Sequence, residues 1–296
     1  MQFIKPAVEI LTPIEGIRGT EILEFIEQAG RTCWKSEGRR ETKIAALLAD
    51  STFDPDTFLS WEQKDFTSLF YCSRAEKARW KVAEDFVRLL TKAGHESVLE
   101  HASVTVRFTC SRAVSHQLIR HRIGAYSQES QRYVDYEKKG HIAFIMPDGL
   151  PLTEGYYRWD DGQRGGFEGE YRIGQSLSQL LMEVEAPPNM VACRLVKDEL
   201  QDQHKEWIRA MQQAEHSYLT LREMNVKPEE ARDVLPNATK TEIVATFNLR
   251  QWRHVFRERA LNPAAQKDIK AATKVVLDKF LNTPLAPVFV DLKDAT

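Results

Sequence analysis

Apolar positions along this 296-residue chain recur at two periods, near 3.6 and near 2, and the switches between them mark the elements. Residues 3–11 alternate and predict a short strand, while 19–29 are amphipathic and predict a helix that ends at Gly30. The stretch 40–72 mixes helix and loop, with Phe53, Phe58, Trp61, Phe66, Phe70 and Tyr71 supplying apolar mass to pack. Ala78, Val82, Phe86, Leu89 and Leu90 recur at helical spacing over 75–93, which stops at Gly94. Residues 102–110 alternate and carry β-branched side chains, the pattern of a strand, and Ser111 then caps a helix over 112–121. A loop over 122–131 leads to strands at 132–136 and 142–146, the second ended by Pro147. The Gly-, Asp- and Pro-rich stretch 148–170 reads as a loop insertion. Helices fit 173–185, 189–224 and 228–235, a strand fits 241–247, a helix runs from an Asn248 cap to about Arg259, and a last helix covers 263–281. Helices and strands mix without βαβ alternation, and no Gly-x-Gly-x-x-Gly follows a strand. The expectation is an α+β fold, a single domain over 1–296, with a central mostly antiparallel sheet flanked by helices and no Rossmann motif.

Charge narrows the chemistry. Forty-one basic residues stand against 43 acidic ones, a formal balance of −2, so any basic site must be local rather than a global attraction to nucleic acid or an anionic membrane. No apolar run approaches bilayer-spanning length, and the first residues lack the charged-then-apolar order of a signal peptide. Cys33, Cys72, Cys110 and Cys193 are scattered, with no Cys-x-x-Cys, as expected of reduced thiols in a cytoplasmic protein.

The densest polar cluster runs from Ser115 to Tyr133. On the expected helix Gln117, Arg120 and His121 share a face, Arg112, His116 and Arg120 form a neighbouring stripe, and Val114 and Leu118 point to the core. Arginine offers planar paired donors for phosphate, carboxylate or a flat polar ring, and Ser and Gln add neutral hydrogen bonds. The chemistry suits an anionic, ring-bearing ligand. The same residues also fit a solvated basic helix end, since cations are favoured at a helix C-terminus, or a nucleic-acid-binding module over 112–132 with Tyr126 and Tyr133 as aromatic faces. A second cluster, His95, Glu96, Glu100 and His101, raises a metal-dependent hydrolase built on His95 and His101. Position 99 is Leu and position 97 is Ser, so neither His-Glu-x-x-His nor His-x-x-Glu-His is complete, and no metal is expected.

Arg120-His121-Arg122, seven further residues, Ser130 and then Arg132-Tyr133 together resemble the signature of the flavin-dependent thymidylate synthases. Gly94-His95-Glu96-Ser97-Val98-Leu99-Glu100-His101 resembles that family's loop before its central strand. Ala231-Arg232-Asp233-Val234-Leu235-Pro236 resembles its Ala-Arg-x-x-Leu-Pro, and Asn248-Leu249-Arg250, His254 and Arg259 follow at its spacing. The resemblance covers about 94–136 and 228–270, with a weaker likeness of Arg31-Thr32-Cys33-Trp34 to Arg-Val-Ser-Phe. The chain departs from the family where Ser127-Gln128 replaces Asn-Glu, and where Ala264-Ala265-Gln266-Lys267-Asp268-Ile269 replaces His-Ala-Gln-Trp-Glu-Ile.

The resemblance implies methylation of dUMP to dTMP, with methylenetetrahydrofolate as carbon donor and FAD, reduced by NADPH, as hydride source. It implies dUMP contacts from Gln117, Arg120, Gln128, Glu129, Ser130, Gln131, Arg132, Arg232 and Arg259, the last acting catalytically on the uracil ring. It implies FAD contacts from His95, Ser97, Arg120, His121, Arg122, Gln128, Asn248, Arg250 and His254. It also implies a homotetramer with sites shared between subunits, and at 3.6 residues per turn Arg259 falls roughly opposite Arg250, which is compatible with such sharing.

Overall fold

The structure, a computed structural model, describes residues 1–55, 72–152, 154–160, 170–174 and 201–293. Phe58, Trp61, Phe66, Phe70, Tyr71, Cys193 and the helical expectation over 175–200 lie outside the described residues. In chain order the elements are β1 (Gln2–Ile4), β2 (Ala7–Ile10), α1 (Gly16–Trp34), α2 (Glu37–Ala49), α3 (Arg74–Lys92), a 3-10 turn (Glu96–His101), β3 (Ser103–Ser111), α4 (Arg112–Leu118), β4 (Ala125–Gln128), α5 (Tyr136–Lys139) and β5 (Ala143–Ile145). Then come β6 (Gly155–Asp160), β7 (Glu170–Gly174), α6 (Asp202–Glu223), α7 (Pro228–Ala231) with a 3-10 turn (Arg232–Val234), β8 (Lys240–Asn248), α8 (Leu249–Val255), a π-helical turn (Phe256–Leu261), α9 (Lys267–Leu281) and α10 (Ala286–Lys293).

Helix and sheet are mixed as expected, and the strands form two four-stranded sheets, β5-β1-β6-β7 and β2-β3-β8-β4. The chain makes two compact units, each drawn from three stretches: 1–7, 108–120 and 127–243 in the first, 8–107, 121–126 and 244–296 in the second. In the first unit β1 runs parallel to β5, pairing Phe3 with Phe144, and antiparallel to β6, which pairs antiparallel with β7. Phe3, Phe144, Tyr136, Ile142, Ile208, Met211 and Tyr218 form its core. In the second unit Phe247, Trp252, Phe256, Phe280 and Phe289 pack ring on ring at centroid distances of 4.8–5.5 Å, and the Trp252 indole donates to the Val104 carbonyl at 3.0 Å.

Several expectations are corrected. The strand over 3–11 is two strands in two sheets, because Pro6 has no N–H to give a ladder and interrupts the run. The helix over 19–29 does not stop at Gly30. It runs through to Trp34 and ends at Lys35 in the left-handed region (φ 47°), and Gly30 is a packing glycine: a Cβ there would lie 2.7 Å from the Phe86 ring of α3. The strand over 132–136 is a turn followed by α5, and the strand of this region is β4 at 125–128, inside the expected loop. The expected 148–170 loop contains β6, whose partner β7 takes the first residues of the expected 173–185 helix. A final helix, α10, follows the expected last one. The well-capped elements stand where expected. Helix α3 opens on Ser73, whose Oγ accepts from the Glu76 N–H while Glu76 returns a bond to the Ser73 N–H, and the chain turns away at Gly94 (φ 76°).

Candidate active site

The expected nucleotide residues gather mostly in the first unit. Ser111 Oγ accepts from the Val114 N–H at 3.3 Å and starts α4, which ends at Leu118, three residues before the expected end. Gln117, Arg120 and His121 therefore share no helix face. Gln117 donates to the Ala113 carbonyl (3.4 Å), Arg120 is exposed in the turn that follows, and His121 falls in the second unit. The Arg112-His116-Arg120 stripe is lost for the same reason. Arg112 instead donates to the Glu129 carbonyl (3.3 Å) and Thr241 Oγ1 (3.4 Å). Gln128 donates to Ser115 Oγ (2.9 Å) and Thr241 Oγ1 (3.3 Å), and the Glu129 carboxylate accepts from Lys240 (3.0 Å). Half-buried Gln131 follows Ser130, whose Oγ accepts from the Arg132 N–H at 3.3 Å. Two arginines then meet on one residue: Arg132 Nε donates to the Glu229 carboxylate (3.3 Å) and Arg232 Nε to the Glu229 carbonyl (3.1 Å). Pro228, pre-set at the first position of α7, places Glu229 and Arg232 on one short turn. The Glu229 carboxylate is thus held by Arg132 and the Glu229 carbonyl by Arg232.

The second unit holds the residues expected to line a flavin, together with Arg259. Asn248 Oδ1 accepts from the Gln251 N–H (2.7 Å) and caps α8. The helix expected to continue to Arg259 instead becomes π-helical from Phe256. Residues five apart are neighbours in a π turn, so His254 and Arg259 both come to His121. The His254 ring lies edge-on to His121 at 5.7 Å, and Arg259 Nε donates to His121 Nε2 at 3.1 Å. Arg250 goes elsewhere, to the Glu100 carboxylate. Counting 3.6 residues per turn from Arg250 to Arg259 thus fails across the π turn.

His121 is buried. The Phe247 ring lies edge-on to it at 6.5 Å, and its carbonyl accepts from the Tyr126 hydroxyl at 2.6 Å. Gly124 lets Phe247 approach, since a Cβ there would lie 2.3 Å from the Phe247 ring. These contacts go with the departure of His121 from the helix expected over 112–121, which ends at Leu118. A guanidinium has only donors, so His121 Nε2 carries no proton and the imidazole is neutral. Burial, aided by the charges of Arg259 and His254, pushes its pKa down from 6.5 to about 4. His95 and Ser97 are exposed at the 3-10 turn, the His95 ring edge-on to Trp34 at 5.5 Å, and Arg122 and Cys33 are also exposed.

Two sets of residues escaped the sequence reading. Glu229 carried a signal only in its closeness to Arg232. Arg253 is fully buried, and its sole signal was a cation among Trp252, Val255 and Phe256, a setting that demands partners. It finds Glu96 (Nε to Oε1, 2.8 Å) and Asp291 (2.7 and 2.6 Å, one bond to each carboxylate oxygen). Arg257 also donates to Glu96, at 2.8 Å.

The second-unit donors fit a flavin dinucleotide. Imidazoles, a serine hydroxyl and the exposed Arg122 suit ring carbonyls and a diphosphate, and Trp34 offers a flat aromatic face. Among the described residues no three His, Cys, Asp or Glu side chains converge as metal ligands, and no helix is long and apolar enough to cross a membrane.

Residues 17–284 match the Thy1 model, described as thymidylate synthase complementing protein. A flavin-dependent thymidylate synthase of Geobacter sulfurreducens is 34% identical over 187 residues, 63% of this chain and 60% of that protein. One of Thermococcus kodakarensis is 29% identical over 66% of this chain and 61% of its own length. One of Mycobacterium sp. (strain JLS) is 34% identical over 68% of this chain and 71% of its own. The chain thus spans about three fifths of the length of the first two of these relatives. In fold it is similar to a UMP/dUMP methylase, PolB from Streptomyces cacaoi, solved with 5-Br UMP and with 5-Br dUMP. The TM-scores are 0.54 and 0.55 at 17% and 18% identity, over 98% of this chain and 96% and 97% of those chains.

Proposed function

Because the chain belongs to the Thy1 family, the flavin-dependent thymidylate synthases, we propose that it methylates dUMP at C5 to give dTMP. Methylenetetrahydrofolate would be the carbon donor, and the active form a homotetramer in the cytoplasm. FAD bound here would, after reduction by NADPH, supply hydride chemistry for completing the methyl group. The residues that would hold it are His95, Ser97, His121, Arg122, Asn248, Arg250 and His254, and the family resemblance adds Arg120 and Gln128. Asn248 and Arg250 already have protein partners, so they would contribute their remaining donors.

The observation that carries this reading is the bond from Arg259 to neutral His121. It ties the Arg120-His121-Arg122 motif to a cation 138 residues away. Nε of Arg259 is committed to His121, which leaves its two terminal nitrogens to donate to a uracil ring. A cation fixed there stabilises negative charge on the ring and raises the nucleophilicity of C5. In the first unit Arg132, Arg232, Ser130 and the N–H groups of the 128–132 loop would take the phosphate, with Glu229 yielding its place to the incoming anion. Gln117, Arg120, Gln128, Glu129 and Gln131 complete the nucleotide set. Ser130 acts as a binder. A hydroxyl nucleophile needs an adjacent base, and among the described residues no imidazole or carboxylate bonds to Ser130 Oγ, which accepts from a backbone N–H.

Colour tests the reading. The purified protein, or protein given FAD, is expected to be yellow, and dUMP to perturb the flavin absorbance. A colourless protein that takes up no FAD contradicts it.

A further inference from the structure

Arg253 has no part in the proposed chemistry, yet among the described residues it is the most deeply buried cation of the second unit. Burying a guanidinium costs several kcal/mol unless its donors are met, and an apolar residue of similar size often stabilises as well or better. Stability alone is therefore a weak reason for a cation here. What a charged fork adds is geometry, because its donors fix the direction of each acceptor. The acceptors lie on two separate elements. Asp291 takes two parallel bonds and the Val288 carbonyl another, both on α10; Glu96 takes a third direction, on the 3-10 turn.

Glu96 lies between His95 and Ser97 in sequence, so fixing its carboxylate fixes the backbone that carries both. From its other side the turn hangs on α3 through the His95 N–H to the Leu90 carbonyl (2.9 Å), next to Gly94 with φ 76°. Arg257, on the π turn that also brings Arg259 to His121, bonds the same Glu96 oxygen. The carboxylate of Glu96 therefore joins the turn, the π segment and, through Arg253, the C-terminal helix.

We propose that Arg253 is a positioning residue: it couples α10 to the turn bearing His95 and Ser97, so that Asp291 sets how tightly the flavin is held. This rests on the reading of that turn as a flavin contact. Arg253→Met strands two carboxylates and can fail to fold, so the informative variants are Asp291→Asn, Asp291→Glu and Glu96→Gln. The side chain of Asp291 is 41% exposed, so its two variants keep an uncharged or a longer acceptor at a partly solvated position.

The test is fluorescence titration of FAD into the flavin-free full-length chain, with thermal unfolding and dUMP titration at saturating FAD alongside. Asp291→Asn and Glu96→Gln are expected to raise the Kd for FAD about tenfold, to leave the dUMP Kd unchanged, and Asp291→Glu to restore FAD binding. Wild-type Kd for FAD in both Asp291→Asn and Glu96→Gln overturns the proposal, as does a weakening wholly explained by a smaller folded fraction. A wild-type chain that binds no FAD at all is a different failure: it overturns the flavin reading on which the coupling depends.

Discussion

At the scale of single residues, the neutral imidazole of His121 is the sharpest feature. Its folded pKa of about 4 lies below the ordinary 6.5. Between those values the unfolded chain takes up a proton that the folded chain refuses, so this group lowers stability as pH falls through that window and has no effect above it. His121→Asn keeps an acceptor for Arg259 and removes the titration. Its denaturant midpoint should fall less steeply than wild type between about pH 6.5 and 4, and equal slopes would remove the argument for a neutral, buried His121. Arg259→Ala should lower kcat by about 100-fold or more, the scale seen when one preorganised charge-stabilising donor is lost. Ser130→Ala should keep measurable turnover with weakened dUMP binding; complete loss of turnover with dUMP affinity intact would make Ser130 the nucleophile instead. Arg120-His121-Arg122, Arg132 and Arg232 were legible in the sequence because fixed spacing among cations is a linear signal. The contacts of His121 with Arg259 and of Arg132 with Glu229 were not, since they join residues 138 and 97 positions apart.

At the scale of elements, legibility followed local chemistry. Helix α3 and strands β3 and β8 stand close to their expected bounds because caps, β-branched runs and strict periodicity are local. The errors fall where tertiary contact overrides the local pattern. His121 leaves the helical path for Phe247, and Phe256–Leu261 widens to a π turn that no 3.6 period reveals. Gly30 shows the opposite failure, a residue read as a stop that is a point of close approach. Gly30→Ala gains up to about 1 kcal/mol of helix propensity. It also places a methyl 2.7 Å from Phe86, an overpacking that costs roughly 1–3 kcal/mol. The second effect should win, and urea unfolding should show net destabilisation; a more stable variant would mean that α1 and α3 part freely.

At the scale of the whole molecule, the chain passes between its two units five times, at 7/8, 107/108, 120/121, 126/127 and 243/244. Neither unit is a contiguous piece, and the expected single domain should unfold in one calorimetric transition in flavin-free protein; two resolved transitions would argue for independent domains. The candidate residues divide with the units. Every expected dUMP residue but Arg259 lies in the first, and every expected FAD residue but Arg120 and Gln128 in the second. Mixing Arg232→Ala chains with Arg259→Ala chains tests sharing between subunits: partial recovery of activity is expected, and none at any ratio would mean self-contained sites. Incubating the protein with dUMP, methylenetetrahydrofolate, FAD and NADPH and measuring dTMP tests the proposed activity most directly. Formation of dTMP that depends on added or bound flavin is expected. Flavin-loaded protein that binds dUMP yet makes no dTMP under these conditions would contradict it.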